Sequence, residues 1–263
     1  MHPMLNIAVR AATKAGELII KKSEDLADLT IKEKGTNDFV TNVDIQAEKE
    51  VIYHLKKAYP DHAFLSEESG YSGNENSDFL WIIDPLDGTN NFIHGIPHYC
   101  VSIALQVKGR TEVSVIYNPN LNQLFTASRG DGAQLNGKRI RVSNKTNLKG
   151  AILSAPVTRN VKILKNSYYS EIEELKKSIS GLRYSGSLAL DLSYVGAGFY
   201  DATWTMTSNK WDIAAALLIV REAGGLVSDI TGGLDYEKTG RVIAGTPKII
   251  SKIIQKIAPH ITQ

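Results

Sequence analysis

Phe79-Leu80-Trp81-Ile82-Ile83-Asp84-Pro85-Leu86-Asp87-Gly88-Thr89 is the stretch from which both fold and chemistry are read. The continuous apolar run predicts a buried strand over 79–83 that ends at Asp84-Pro85, so Asp84 stands where a rigid strand emerges, a place where sites gather. Pro85 lacks an N–H and pushes Asp84 out of the helical region, which makes the chain turn while the carboxylate stays held. A second carboxylate, Asp87, follows three residues later. Gly88 lets the backbone approach a ligand, and Thr89 can open a short helix through Phe92 with free N–H groups aimed at an anion. Two carboxylates about 4 Å apart repel by roughly 4 kcal/mol at an effective dielectric of about 20. Divalent cations resolve that conflict, and oxygen-only ligands suit Mg²⁺.

Taken alone, the segment reads more readily as a surface turn than as a metal site, because Asp-Pro and Asp-Gly are ordinary turn pairs. An EF-hand loop is excluded, since Pro stands at its second position and Gly at its fifth. The haloacid dehalogenase phosphatases carry a strand-end Asp-x-Asp-Gly-Thr with an aspartyl nucleophile; here two residues separate the aspartates.

Upstream, apolar residues at helical spacing predict an amphipathic helix over 1–20 and a second over Asp44 to Tyr59, stopped by Pro60, with the polar stretch Lys32 to Asn37 between them. Downstream come short β-like runs, Tyr99 to Val107, Glu112 to Tyr117 and Gln123 to Ala127, with Lys108-Gly109-Arg110 as a hairpin turn; Ala63 to Leu65 is a further short strand. This half, 1–145, reads as helices on a mostly antiparallel sheet, an α+β pattern. From about residue 150 strands and helices alternate: strands at Ile152 to Ser154, Phe199 to Thr205 and Val242 to Ala244, helices at Ser167 to Ser180, Ser187 to Val195, Ile213 to Ala223 and Lys248 to Ile257. Residues 146–263 therefore read as an α/β half. The polar segment Ser143 to Lys149 is the boundary.

The 263 residues are 43% hydrophobic, enough for a sizeable core, and a formal charge of +2 gives no bulk reason for nucleic acid or an anionic membrane surface. The small basic cluster Lys138, Arg139 and Arg141 reads as a solvated hairpin end. Cys100 is the single cysteine, which excludes an intrachain disulfide and a cysteine zinc site and fits a reducing cytoplasm. In an apolar strand it reads as core. His94 and His98 are separated by Gly95 and Pro97, so they cannot share a helical face as zinc ligands. No window is long and apolar enough for a membrane span.

Three further segments join the acidic turn: Ser66-Glu67-Glu68-Ser69, Trp211-Asp212-Ile213-Ala214-Ala215 with Glu222-Ala223-Gly224-Gly225, and Asp38-Phe39-Val40-Thr41-Asn42-Val43-Asp44. With Trp81 to Phe92 they resemble, in order and separation, the signatures of the inositol monophosphatase family over nearly the whole chain. Met1 to Ala12 and Gly132 to Gly137 are most similar to its bacterial SuhB-type members. The resemblance implies a layered α-β-α-β-α sugar-phosphatase fold and a Mg²⁺-dependent, lithium-sensitive phosphomonoesterase, with two or three Mg²⁺ ions, acting as a cytoplasmic homodimer on inositol monophosphate or a related small sugar or nucleotide phosphate. It implies that Glu67, Asp84 and the Leu86 carbonyl hold one ion and Asp84, Asp87 and Asp212 a second, with Glu67 reaching a third. Thr89 and Asp44 match the pair that orients and deprotonates the attacking water, Gly88 and Thr89 offer N–H groups to the phosphate, and Lys34 is a positive group near the site. Gly186, Ser187 and Leu188 match the segment that lines the substrate pocket beside Asp87 and Asp212. SuhB-type members also imply an alternative role, protein binding within the transcription antitermination machinery that serves ribosomal RNA synthesis.

Each residue has a structural rival. Glu67 and Glu68 read equally as solvated charges after a strand, and Asp44 and Asp212 as helix caps, a role compatible with ligation. One position departs from the family: Thr205 aligns with a glutamate that binds ring hydroxyls in many members. A hydroxyl is a shorter and weaker partner, so inositol selectivity is expected to be weakened or broadened.

Overall fold

The computed structural model describes residues 3–26, 29–35, 38–156 and 165–260. Helix α1 (Pro3–Ser23) buries Leu5, Ala8, Ala11, Ala12, Ala15 and Ile19, a stripe at three- and four-residue spacing. The polar stretch that begins at Lys32 lies in strand β1 (Ile31–Gly35), exposed at every position, which pairs antiparallel with β2 (Asp38–Thr41) as a two-stranded flap. Its strand character is hidden in the sequence because β1 buries no residue and so shows no apolar alternation. Helix α2 (Asn42–Ala58) starts two residues before the expected Asp44. Thr41 caps it, accepting from the Val43 N–H at 3.0 Å while Asp44 Oδ2 accepts from the Thr41 N–H at 2.8 Å.

The larger sheet holds β3 (Ala63–Ser66), β4 (Gly70–Gly73), β5 (Phe79–Asp87), β6 (Cys100–Val107), β7 (Arg110–Asn118), β8 (Gln123–Ser128), β9 (Gly132–Leu135) and β10 (Lys138–Arg139). Their order is β10-β9-β8-β7-β6-β5-β3-β4, antiparallel throughout except for the parallel pair β3–β5. Lys108 and Gly109, both at positive φ, make the two-residue turn between β6 and β7. Strand β5 continues past Pro85: Asp84 faces Ser102 and Asp87 faces Cys100, with the register shifting between them. That bulge accommodates the proline, which has no N–H for a regular ladder. Helix α3 (Thr89–Ile93) follows.

The smaller sheet contains β11 (Ile152–Ser154), which is followed by α4 (Lys165–Lys176), β12 (Gly181–Arg183), α5 (Leu188–Gly196), β13 (Ala202–Thr205), α6 (Lys210–Glu222), β14 (Leu226–Ser228), α7 (Tyr236–Thr239), β15 (Val242–Gly245) and α8 (Pro247–Ile257). The strand order is β12-β11-β13-β15-β14, with β12, β11 and β13 parallel. Strand β13 starts later than the expected Phe199, because the Phe199 and Tyr200 N–H groups close the end of α5 on the Tyr194 carbonyl.

The layers run α-β-α-β-α. Helices α1 and α2 cover one face of the larger sheet, in a core containing Trp81, Phe64 and Phe92. Helices α5 and α6 lie between the sheets, packing Leu190, Leu192, Leu217 and Ile219 with Ile82, Ile116 and Phe125 on one side and Val242 and Ala244 on the other. Helices α4 and α8 cover the outer face of the smaller sheet around Trp204.

Candidate metal centre

The parallel pairing of β3 and β5 brings their carboxyl ends together, and the Glu67 N–H reaches the Ile83 carbonyl at 3.2 Å. Glu67 is thereby set beside Asp84. The N-termini of α2, α5 and α6 supply the remaining groups: Asp44, Ser187 with Ala189, and Asp212. Helix N-termini present unpaired N–H groups and partial positive charge, so they hold carboxylates there at reduced cost.

Asp84 is 2% exposed, and its Oδ1 accepts from the Leu86 N–H at 3.0 Å across the bulge. Burial, together with the charges of Glu67, Asp87 and Asp212, pushes its pKa well up. Asp87 Oδ2 accepts from Ser187 Oγ at 2.6 Å and the Ala189 N–H at 2.7 Å. Burial raises its pKa too, against those bonds. Asp212 Oδ2 accepts from the Asn209 N–H at 2.6 Å, so Asn209 takes the N-cap place and Asp212 sits one turn into α6. Asp44 joins cap and site: Thr89 Oγ1 donates to its Oδ1 at 2.8 Å and stands 3.0 Å from the Leu86 carbonyl oxygen. Burial raises the Asp44 pKa, while Thr41 and Thr89 oppose the rise. Lys34, on the flap, reaches over to Glu67 Oε1 and Glu68 Oε1, each at 2.8 Å. Burial takes the Glu68 carboxyl up to about 7 against the pull of Lys34.

The backbone around these groups requires glycine twice. Gly88 has φ +104°, and a Cβ there would lie 3.0 Å from the His98 carbonyl oxygen and 3.1 Å from Tyr99. Gly186 has φ +87°, and a Cβ would meet the Asn91 amide at 2.8 Å. That amide donates to the carbonyls of His98 (2.6 Å) and Ser185 (2.8 Å), tying α3 to the segment Gly186-Ser187-Leu188.

The donor chemistry fits a hard divalent cation: carboxylate and carbonyl oxygens, with one nearly buried aspartate whose ionisation three neighbouring carboxylates oppose. Among the described residues no three acidic, histidine or cysteine side chains are arranged to clasp an ion as they stand. Glu67 is turned onto Lys34, so engaging a cation entails exchanging that partner.

Several residues of this neighbourhood escape a sequence reading. Glu48, 4% exposed, accepts from the Ser66 hydroxyl and, at 3.0 Å, from the Glu68 N–H, fixing the turn that carries Glu67. Its signal was an acid four residues after Asp44 on the apolar face of α2. Asp191 in α5 is fully buried; Ser154 and Ser185 flank it, yet no hydrogen bond of good geometry reaches either carboxyl oxygen. Burial carries it up to about 7, with Asp87 adding to the rise. The Thr205 hydroxyl donates to the Thr207 carbonyl at 2.8 Å in a side chain 1% exposed, so it is committed to its own strand end. Cys100 is fully buried, and burial pushes its thiol pKa well up. His94 is exposed; His98 is half-buried, which lowers its pKa.

A profile of the inositol monophosphatase family matches residues 1–262. The chain belongs to that family. Nus factor SuhB of Escherichia coli is 48% identical to it over 262 residues, covering 100% of this chain and 98% of the relative. The structure of extragenic suppressor protein suhB from Bartonella henselae superposes with a TM-score of 0.96 at 40% identity, over 99% of this chain and 100% of that one. The inositol monophosphatase from Anabaena (Nostoc) sp. PCC 7120 gives 0.85 at 32% identity, over 97% and 95%. The layered architecture is that of the family, and the family makes the chain a phosphatase by descent. Among the described residues no helix is long and apolar enough to cross a membrane.

Proposed function

We propose that the chain is a Mg²⁺-dependent phosphomonoesterase that hydrolyses inositol monophosphate or a related small sugar or nucleotide phosphate in the cytoplasm, as a homodimer. The observation that carries the reading is the convergence of Glu67, Asp84, Asp87 and Asp212 on one region beside the Asp44–Thr89 pair. Glu67, Asp84 and the Leu86 carbonyl would hold one ion, Asp84, Asp87 and Asp212 a second, and Glu67 would reach a third. Bound there, Mg²⁺ supplies charge to offset that of the phosphate and lowers the pKa of a coordinated water.

The chain's own groups do the rest. Thr89 Oγ1, poised between Asp44 Oδ1 and the Leu86 carbonyl, orients the attacking water and passes its proton towards Asp44. The N–H groups of Gly88 and Thr89 would be offered to the phosphate oxygens, and Gly186, Ser187 and Leu188 would line the substrate pocket. Ser187 and the Ala189 N–H hold Asp87 in its orientation. Attack in line with the leaving alkoxide requires no covalent enzyme intermediate. The test is phosphate release from a panel of small phosphomonoesters. Turnover that needs Mg²⁺ and stops with a chelator supports the reading, while turnover indifferent to chelation refutes it.

A second role, association with a transcription antitermination complex, is supported by the 48% identity to a Nus factor. Pull-down of such a complex with an Asp87→Asn protein separates the two: retention that survives loss of catalysis identifies a surface function. The charge of +2 lends no support to direct nucleic-acid binding.

A further inference from the structure

Where the end of α4, helix α8 and the loop leading into β11 meet, the outer face of the molecule is indented by a cavity of about 820 Å³. Lys149, Lys177, Lys252 and Lys256 line it with Ser178 and Gln255, and no acidic or aromatic side chain is among the lining residues. The placement follows from the packing of α8. Ile249, Ile250, Ile253 and Ile257 turn into the core, which sets Lys252 and Lys256, one helical turn apart, on the cavity side. Lys149 comes from the loop before β11, and Lys177 directly follows α4. Three separate segments thus bring four lysines to one concavity.

Their compensation is incomplete. Glu174 serves two of them, with Lys177 Nζ at 2.8 Å from one carboxylate oxygen and Lys256 Nζ at 3.1 Å from the other. The side chains of Lys149 and Lys252 have no ion pair or hydrogen bond among the described residues. Among the described residues, the four lysines and Glu174 together carry a net +3, on a chain whose total is +2. Solvated lysines on a helix face spread apart; these surround a hollow of the size that small ligands occupy, about 300–1,000 Å³. Ammonium groups are compact, strongly hydrated charges suited to phosphate oxygens. Without an aromatic side chain for stacking, the recognised part of a ligand is its phosphates.

We propose that this cavity binds a small polyphosphorylated anion, one with two or more adjacent phosphate groups, at a site distinct from the phosphatase centre. The centre lies at the N-termini of α5 and α6, between the two sheets, whereas the cavity lies in the outer helical layer on the far side of the smaller sheet. The two sites also differ in requirement: the lysine cavity needs no divalent cation.

Isothermal titration of the full chain with tripolyphosphate, in a chelating buffer where the carboxylate-rich centre repels anions, tests it. The expected result is saturable binding that weakens with added salt, with inorganic monophosphate binding at least about tenfold more weakly. The double substitution Lys149→Gln with Lys252→Gln should weaken tripolyphosphate about tenfold or more and leave Mg²⁺-dependent phosphate release unchanged. Lys149→Ala alone, at an exposed loop position, carries the same test if the double variant loses its fold. Absence of saturable binding, or an affinity indifferent to these substitutions, overturns the proposal. A single-stranded RNA that binds through the same lysines and is not displaced by tripolyphosphate overturns the small-ligand assignment.

Discussion

Asp87→Asn separates the charge of the acidic site from its shape. Ser187 Oγ at 2.6 Å and the Ala189 N–H at 2.7 Å converge on one oxygen of Asp87, Oδ2. An asparagine can give its carbonyl oxygen to both and turn its amide towards the site, so the N-terminus of α5 keeps its partner. Loss of one carboxylate charge beside another relieves roughly 3 kcal/mol, the repulsion of two unit charges about 5 Å apart at an effective dielectric of about 20. Conversion of two charge-assisted bonds into neutral ones costs about 1–3 kcal/mol, so the two changes largely cancel. The metal-free variant should melt within a few degrees of the parent. A divalent cation, by contrast, loses at least the same roughly 3 kcal/mol of attraction, which corresponds to about a 100-fold loss of phosphate release at fixed Mg²⁺. A Mg²⁺ titration of phosphate release, run beside calorimetric melting of the same preparations, reads both quantities. A variant that keeps its melting temperature and works within threefold of the parent at the same Mg²⁺ refutes the role assigned to Asp87.

Thr89→Val removes the hydroxyl between Asp44 and the Leu86 carbonyl; kcat should fall by about 10²–10⁴ in phosphate-release kinetics, with KM changing much less. Because the Thr205 hydroxyl is engaged by Thr207, kcat/KM for inositol 1-phosphate should lie within about tenfold of values for other small sugar phosphates, as a substrate panel will measure; a hydrogen-bonding ring site would discriminate by about 10⁴. Asp191 is held protonated by burial, with a folded pKa of about 7 above the ordinary carboxylate value. The folded state therefore binds its proton more tightly than the unfolded state, and stability from this group is full below about pH 4 and lost as pH rises through about 7. At about 1.36 kcal/mol per pKa unit, the loss between pH 5 and pH 8 is on the order of 2–3 kcal/mol. Urea unfolding of Asp191→Asn at the two pH values should show a correspondingly smaller loss than the parent; equal losses would contradict it.

Helices α1 and α2, the hairpin at Lys108-Gly109 and the strand leading to Asp84 were legible because each has a local cause: apolar spacing, a cap, a turn glycine. The bulge through Pro85 was not, since proline ordinarily ends a strand and only pairing with β6 carries this one on to Asp87. The β1–β2 flap is hidden because β1 buries nothing and β2 buries only Val40 and Thr41 at its end. The acidic turn, its distant partners and Ser187 as pocket lining follow from sequence motifs, whereas Ser187 as the support of Asp87 and Glu48 as the support of the Glu67 turn do not. Ser187 lies 100 residues from Asp87, and Glu48 reaches Ser66 across 18, contacts fixed by packing and invisible to any local pattern. Lys34 was placed near the site, but its grip on both Glu67 and Glu68 follows only from the position of the flap.

The claim that carboxylates from both sheets' helices and strands serve one metal centre is tested most directly by anomalous diffraction from crystals soaked in Mn²⁺, a substitute for Mg²⁺ at oxygen sites. Anomalous peaks are expected within coordinating distance of Asp84, shared with Glu67 on one side and with Asp87 and Asp212 on the other, with Glu67 released from Lys34. A crystal that takes up Mn²⁺ elsewhere while Asp84, Asp87 and Asp212 show no peak would contradict it.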